Sequence, residues 1–342
     1  MPRRVSNPPN RFLLEHVEHD AGQAPWAALE LYDEHAKTIL SPNDSPDLDF
    51  RWSLNPYRGC QHACAYCYAR ASHEYWGFGA GTDFERRIVV KRNAPELLRA
   101  ELEARRWKGE LIAFSGNTDC YQPLEGALGL TRRCLEVCLE YRNPVGIITK
   151  SVLVERDVEL VARLAREAHA RVTFSIAFCD DDVARAIEPG APPPSRRFAA
   201  MRKLADAGVT TAISLAPIIP GLNDADVPVL LERAAAAGAV HAWMSLVRLS
   251  REVLPVFEER LGESFPARAA KVRAAIREVR GGAMNDARFA ARMVGEGPRW
   301  KVVEDVFERQ CARLGIATTT PAAPARSTFR RPTPQLELWD QS

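Results

Sequence analysis

Hydrophobic positions between residues 51 and 250 fall into two alternating rhythms. Short, nearly continuous apolar runs occur at 110–115 (ELIAFS), 145–149 (VGIIT), 171–178 (RVTFSIAF), 210–216 (TTAISLA) and 240–247 (VHAWMSLV). Such runs read as strands buried on both faces. Between them, stretches with a helical period cover about 94–107, 126–141, 154–168, 195–207 and 224–238. The stretch at 195–207 opens after Pro192-Pro193-Pro194, which suits a helix start, and Gly208 and Gly238 stand where helices end. A further short strand at 51–55 makes six strand–helix units. Strands that alternate with helices imply a parallel sheet, because parallel strands need crossover connections. The pattern therefore predicts an α/β fold, either a partial TIM-type barrel or a doubly wound open sheet.

The flanks have a different texture. Residues 1–50 carry Pro8, Pro9, Pro25, Pro42 and Pro46 and little periodicity, and read as an irregular N-terminal extension. Residues 251–316 are helix-rich and close with a predicted helix over 299–314. From 317 to 342 the chain turns to Thr, Ala, Pro and Arg without an apolar period, which reads as a disordered tail.

Composition narrows the picture only a little. Hydrophobic residues make up 46% and charged residues 26%, with a formal net charge of +2, so no global field for nucleic acid or membrane is present. Of the 46 basic residues only seven are Lys; Arg suits bidentate contacts with oxyanions, although an excess of this kind reads first as a habit of the source genome. Eight cysteines are too few and too unevenly placed for a disulfide scaffold. The most apolar stretch, 209–222, is interrupted by Pro217 and Pro220 and is too short to span a bilayer. The first residues lead into no secretory h-region. These features predict a soluble, cytoplasmic protein of a reducing compartment, with no membrane partner.

The chemistry concentrates in Gly59-Cys60-Gln61-His62-Ala63-Cys64-Ala65-Tyr66-Cys67-Tyr68, where the cysteines have the spacing C-x3-C-x2-C. Three thiolates this close converge on one metal centre only if the loop wraps around it, and thiolates favour zinc or iron–sulfur clusters. A structural zinc site wants a fourth ligand, for which His62 and His73 are the nearest candidates, and no second C-x2-C pair follows. A four-iron cluster held by three cysteines keeps one iron open, the mark of a reacting site.

C-x3-C-x2-C with an aromatic residue before the third cysteine, placed after a strand and opening a βα series, resembles the cluster motif of radical S-adenosylmethionine (radical SAM) enzymes. Ser53-Leu54-Asn55-Pro56-Tyr57-Arg58-Gly59-Cys60 and the strands that follow resemble the spore photoproduct lyase-like branch, whose founding enzymes repair a DNA photolesion. Ser6-Asn7-Pro8 and Asn43-Asp44-Ser45-Pro46-Asp47 resemble the N-terminal pattern of a bacterial group within that branch. The resemblance covers about residues 50–250 and implies a partial (β/α)6 barrel over 51–250. It implies a 4Fe–4S cluster on Cys60, Cys64 and Cys67, whose open iron is chelated by the amino and carboxylate groups of S-adenosylmethionine (SAM). It implies a one-electron reductant such as flavodoxin or ferredoxin, and a 5′-deoxyadenosyl radical that takes hydrogen from a substrate. That substrate is left open among nucleic acid, peptide and small molecule.

Barrel sites lie at the C-terminal ends of the strands. The loop Gly116-Asn117-Thr118-Asp119-Cys120 after the second strand suits an ammonium group, and by resemblance Asn117, Thr118 and Asp119 border the SAM amino group. Lys150, at the end of the third strand, suits the SAM carboxylate. Ser175 on the fourth strand is placed to reach the methionyl or ribose hydroxyls. Tyr66 and Tyr68 flank Cys67, where the family lays a side chain against adenine. Glu188-Pro189-Gly190 and Ser195-Arg196-Arg197 also resemble the family and are expected to cover the site mouth. One position departs from the pattern: where lyases of the branch carry a hydrogen-donating cysteine this chain has Gly116, and Cys120 is the displaced candidate for that role. Cys134 and Cys138, four apart on one helix face, read as a core stripe.

Two other function classes compete. A zinc-binding interaction module would use the same cysteines without radical chemistry. A SAM-dependent methyltransferase without a cluster lacks a G-x-G-x-x-G loop and leaves the cysteines unused. Near the C-terminus, Pro334-Gln335-Leu336-Glu337-Leu338-Trp339 resembles the short peptide by which bacterial replication and repair proteins hold the sliding clamp. In that reading Gln335, Leu336, Leu338 and Trp339 are the anchors, and Arg330 and Arg331 add affinity for DNA or an acidic surface. The competing reading is a C-terminal hook that packs on its own barrel.

Overall fold

The computed structural model describes residues 28–319 and 327–332. Ten strands are present among them: β1 (Glu30–Asp33), β2 (Leu40–Pro42), β3 (Trp52–Leu54), β4 (Tyr57–Arg58), β5 (Arg87–Val90), β6 (Ile112–Phe114), β7 (Val145–Thr149), β8 (Ala170–Ser175), β9 (Thr210–Ile218) and β10 (Ala239–Leu246). Seven of them form one sheet in the order β10-β9-β8-β7-β6-β3-β2. The six strands from β3 to β10 run parallel, and only β2 is antiparallel, against β3. Helices Ala94–Glu103, Leu130–Glu140, Val158–Glu167, Pro194–Asp206 and Val227–Ala236 make the crossovers. This is the α/β, parallel-stranded partial (β/α)6 barrel that the alternation predicts, open between β10 and β2.

The apolar runs explain the architecture. Ile147, Val172, Phe174, Ile213 and Leu215 are fully buried, and in register Ile147 lies beside Val172. Each crossover helix presents an apolar stripe to the sheet, for example Leu160, Val161 and Leu164 of Val158–Glu167. The same core takes in Ile39 from the N-terminal extension and Trp300, Phe307 and Ile316 from the C-terminal one. Helices Val253–Ser264, Pro266–Glu278 and Gly297–Leu314 make up the latter, and the last packs on Val227–Ala236.

Three expectations are corrected. The extension before residue 50 is not wholly irregular: β2 lengthens the main sheet, and β1 joins a second, three-stranded sheet of order β1-β5-β4. Residues 327–332, expected in a disordered tail, dock on the base of the barrel. There Thr328 donates to the carbonyls of Arg142 (3.0 Å) and Ala168 (3.2 Å), and the Phe329 ring stacks on Tyr141. Arg331 does not face outward for a partner: its guanidinium donates to the carbonyls of Leu102, Glu103, Ala104 and Trp107. It thereby satisfies the orphan acceptors where the first crossover helix ends, four residues earlier than its sequence pattern predicts. The clamp-like residues Gln335, Leu336, Leu338 and Trp339 lie outside the described residues, as do Ser6-Asn7-Pro8. Among the described residues no helix is long and apolar enough to cross a membrane.

Candidate functional site

The cysteine loop follows β4 and enters through Gly59, whose φ is +78° and where an added Cβ would fall 2.9 Å from the Phe84 carbonyl oxygen. Inside the loop Ala63 N donates to Cys60 O (3.3 Å) and Cys67 N to Cys64 O (3.2 Å), so the three thiols are turned to one side. Neighbouring segments grip it from outside. Ala65 N donates to Ile187 O and Gly190 N to His62 O. A Cβ on Gly190 would fall 2.0 Å from the Gln61 carbonyl oxygen, so glycine is what permits this approach. Buried Arg70 donates from Nε and Nη2 to Cys64 O.

Cys60, Cys64 and Cys67 line one cavity of about 470 Å3 at the C-terminal ends of the strands. Burial pushes the Cys64 thiol well up, as does the Glu188 charge, against the opposing pull of Lys150. Burial likewise raises Cys67, with Cys60 adding to it. Such thiols ionise when a metal replaces their protons. Their softness suits iron–sulfur or zinc, and His62 Nε2, which lines the same cavity, is buried without a hydrogen-bond partner. Among the described residues no three Cys, His, Asp or Glu side chains converge to hold a single ion. The three thiols share this cavity with Asp119 and Lys150, and their softness suits an iron–sulfur cluster. His73, one of the two candidate zinc ligands, packs between Phe78 and Phe84 and does not line the cavity.

The second-strand loop supplies the cavity's main carboxylate. Asp119 accepts from Lys150 N (2.7 Å), Thr149 Oγ1 (2.8 Å) and Tyr121 N (2.9 Å), and lies 3.3 Å from His62 Nδ1. Burial alone would raise its pKa, but the His62 charge and these hydrogen bonds prevail and hold it down at about 2. Burial would lower the pKa of His62, yet the Cys60 and Asp119 charges lift it to about 9. Thr118 is turned inward: its hydroxyl donates to Tyr57 O and accepts from Asn55 Nδ2. Asn117 is exposed at the rim, with Nδ2 on Ser72 Oγ at 3.0 Å.

Lys150 Nζ donates to Ser175 Oγ (2.9 Å) and lies 5.6 Å from the Tyr66 ring centroid, so third strand, fourth strand and cysteine loop meet at this ammonium. Ser175 Oγ donates in turn to Ala216 O. Tyr68 is 46% exposed at the mouth, its hydroxyl donating to Gly116 O at 2.7 Å. Every cofactor-contacting candidate from the sequence, Tyr66, Tyr68, Asn117, Thr118, Asp119, Lys150 and Ser175, thus lines the cavity that holds the three thiols.

Cys120 is fully buried and is not among the residues that line the cavity; its amide donates to Ser115 Oγ and its carbonyl accepts from Thr131. Glu188 and Arg197 are a correction. Expected over the mouth, they form a fully buried ion pair beneath the cysteine loop. Glu188 also accepts from the Tyr66 hydroxyl, and Arg197 donates to Ser175 O (2.9 Å) and Pro192 O (2.7 Å). Burial would raise the carboxyl pKa of Glu188, but the Arg197 and Lys150 charges keep it low. Sequence reasoning missed Asn55, which clamps Ser115 O and Thr118; its place five residues before Cys60 was the available signal.

The family model for the radical SAM superfamily matches residues 54–234, just over half of the chain. An uncharacterised protein of Mycobacterium tuberculosis is 40% identical over 194 residues, 56% of this chain and 57% of its own length, so this chain spans little more than half of that relative. A radical SAM Nα-GlyT isomerase of Pseudomonas phage M6 is 27% identical over 213 residues, covering 61% of this chain and 42% of that one. Among solved structures, spore photoproduct lyase complexed with dinucleoside spore photoproduct superposes with a TM-score of 0.60 at 17% identity, over 84% of this chain and 81% of that chain. That last likeness speaks for the fold, while the matched family model covers both the cysteine loop and the strand ends. The chain belongs to the radical SAM superfamily.

Proposed function

We propose that this chain is a radical SAM enzyme in which Cys60, Cys64 and Cys67 hold a 4Fe–4S cluster and the neighbouring strand ends hold SAM. The observation that carries the reading is the meeting of the thiols of buried Cys60 and Cys64 and half-buried Cys67 with the Asp119 carboxylate and the Lys150 ammonium in one cavity at the C-terminal ends of parallel strands. Such a cluster, when bound and reduced, supplies the electron that cleaves the SAM sulfonium to a 5′-deoxyadenosyl radical.

The chain's own residues do the rest. Asp119, kept ionised by His62 and by donors from Thr149 and Lys150, presents negative charge to the SAM amino group, with Asn117 and the Thr118 backbone beside it. Lys150 takes the SAM carboxylate, and its contact with Ser175 fixes where the ammonium points. Tyr66, tethered through its hydroxyl to Glu188, and Tyr68, tethered to Gly116, border the adenosyl group. The apolar barrel wall excludes water from a reactive radical. A small one-electron carrier such as flavodoxin or ferredoxin is the reductant this chemistry requires. The substrate is an organic molecule with an abstractable hydrogen; nucleic acid stays among its classes, as does a sliding-clamp contact through Gln335, Leu336, Leu338 and Trp339. Lyase activity is not part of the proposal, because Gly116 and buried Cys120 leave no donor thiol at the branch's usual place.

The zinc-module alternative would have to take His62 as its fourth ligand, because His73 packs between Phe78 and Phe84. The test is anaerobic incubation of the reconstituted full chain with SAM and dithionite. Formation of 5′-deoxyadenosine and methionine is expected; a chain that binds iron and sulfide yet leaves SAM intact would contradict the proposal.

A further inference from the structure

Where β10 leaves the sheet, the chain carries a guanidinium into the cavity wall at Arg248. Its backbone is pinned on both sides. Leu246 N donates to Met293 O (2.9 Å), Val247 N to Ile218 O (2.9 Å) and Leu249 N to Asn285 Oδ1 (3.0 Å), and Val247 O accepts from Arg280. The side chain lies 4.8 Å from the Tyr68 ring centroid, and its hydrogen bond goes to the thioether of Met293, a weak acceptor.

No carboxylate pairs with it among the described residues. Asp47 faces it, but that carboxylate already accepts from Ala290 N and from Arg292 Nε. Arg292 adds a bond to Ser45 Oγ and lies over the Phe289 ring. Two guanidinium groups thus share one carboxylate. Burial, joined by the like charge of Arg292, pulls the pKa of Arg248 below its ordinary value, against the opposing charge of Asp47.

The SAM carboxylate is assigned to Lys150, on another strand. β10 and β7 are separated by β9 and β8, so the two strand ends stand roughly 14 Å apart along the sheet. The same cavity is lined by the apolar side chains of Trp243, Met244 and Met293, the last in contact with Arg248, and by the Asp47 carboxylate. We propose that Arg248 anchors an oxyanion of the substrate, a carboxylate or a phosphoryl group, while Trp243, Met244 and Met293 hold the apolar body attached to it. The inference rests on the proposed function, since it takes the cysteine-lined cavity as the reacting site. A guanidinium matches either oxyanion with two parallel donors.

The test uses the full reconstituted chain with saturating SAM and three probes: phenyl phosphate, benzoate and the neutral benzamide. Calorimetry or ligand-observed NMR gives their affinities for wild type, Arg248→Gln and Arg248→Lys. The wild type is expected to prefer one anion over benzamide, phenyl phosphate if the group is phosphoryl and benzoate if it is carboxylate. Arg248→Gln is expected to weaken that anion roughly ten- to a hundredfold, with Arg248→Lys between the two and benzamide binding as in the wild type, which shows an intact wall. No preference for an anion in the wild type, or equal anion affinity in wild type and Arg248→Gln, overturns the anchor. Probe binding needs no radical chemistry. A wild type that binds the anion but makes no 5′-deoxyadenosine therefore overturns the function alone, and one that makes it with unchanged anion binding in Arg248→Gln overturns the anchor alone.

Discussion

Replacement of Glu188 by Gln exposes the most consequential polar contact beneath the cysteine loop. Glu188 and Arg197 are fully buried and paired, and the same carboxylate holds the Tyr66 hydroxyl. Gln keeps the shape and an acceptor for Tyr66 but removes the charge, leaving the Arg197 guanidinium buried beside the Lys150 ammonium, which already opposes it. Removing one partner of a buried ion pair costs about 3–5 kcal/mol. Unfolding entropy of about 2.1 cal/mol/K per residue, taken over the 342 residues, makes each kcal/mol worth roughly 1.4 °C, so Tm should fall by about 4–7 °C. Differential scanning calorimetry measures it. The companion Glu188→Gln/Arg197→Met should recover much of the loss, because no buried charge is then stranded. A fall of less than about 1.5 °C in Glu188→Gln would refute the reasoning, as would a double variant less stable than the single one by the full effect of a second, independent lesion.

Three further outcomes follow from the same structure. Asp119→Ala and Lys150→Ala should each weaken SAM binding roughly ten- to over a hundredfold in equilibrium dialysis while the iron content stays that of the wild type, since a lost charge-assisted bond costs about 1.5–3 kcal/mol; unchanged affinity in both would return them to a structural role. Burial between Phe78 and Phe84 holds the His73 imidazole at about 4, against 6.5 in an unfolded chain, so stability present above pH 6.5 is lost as the pH falls towards 4, by about 3 kcal/mol. In urea unfolding, His73→Phe should flatten the decline between pH 7 and 5, and a slope identical to the wild type would count against it. Arg331→Ala should lower stability by about 1–3 kcal/mol through the carbonyls it leaves uncapped, and no change would mean that water caps them as well.

Much of the barrel was legible because buried parallel strands must be apolar throughout. VGIIT is a strand over the same five residues that its pattern marks, and the other five main strands lie within a few residues of their runs. The small sheet and the edge strand β2 of the main sheet were not legible: β4 has two residues, and β1 and β2 lie in proline-rich chain where no period can develop. Residues 327–332 were misread for a related reason. Thr328, Phe329 and Arg331 form no apolar period; they work by capping carbonyls and by one ring contact, which composition does not register. In the site, the thiols, Asp119 and Lys150 were legible from short-range patterns at strand ends. The Glu188–Arg197 pair resembled known motifs but was placed on the wrong side of the loop, because which way a segment faces depends on its contact with Tyr66, 122 residues away. Arg248 carried no signal among so many arginines; only its lack of a carboxylate partner, which is a tertiary property, sets it apart.

The central claim is that Cys60, Cys64 and Cys67 together hold one iron–sulfur cluster. Iron and acid-labile sulfide, measured on anaerobically reconstituted full chain and on the three single Cys→Ala variants, test it most directly. About four irons and four sulfides per chain are expected in the wild type, with loss of the cluster and its brown absorbance in each variant, while Cys120→Ala keeps its iron. A full iron load in any one of the three variants, or a wild type that takes up zinc without sulfide, would contradict the account.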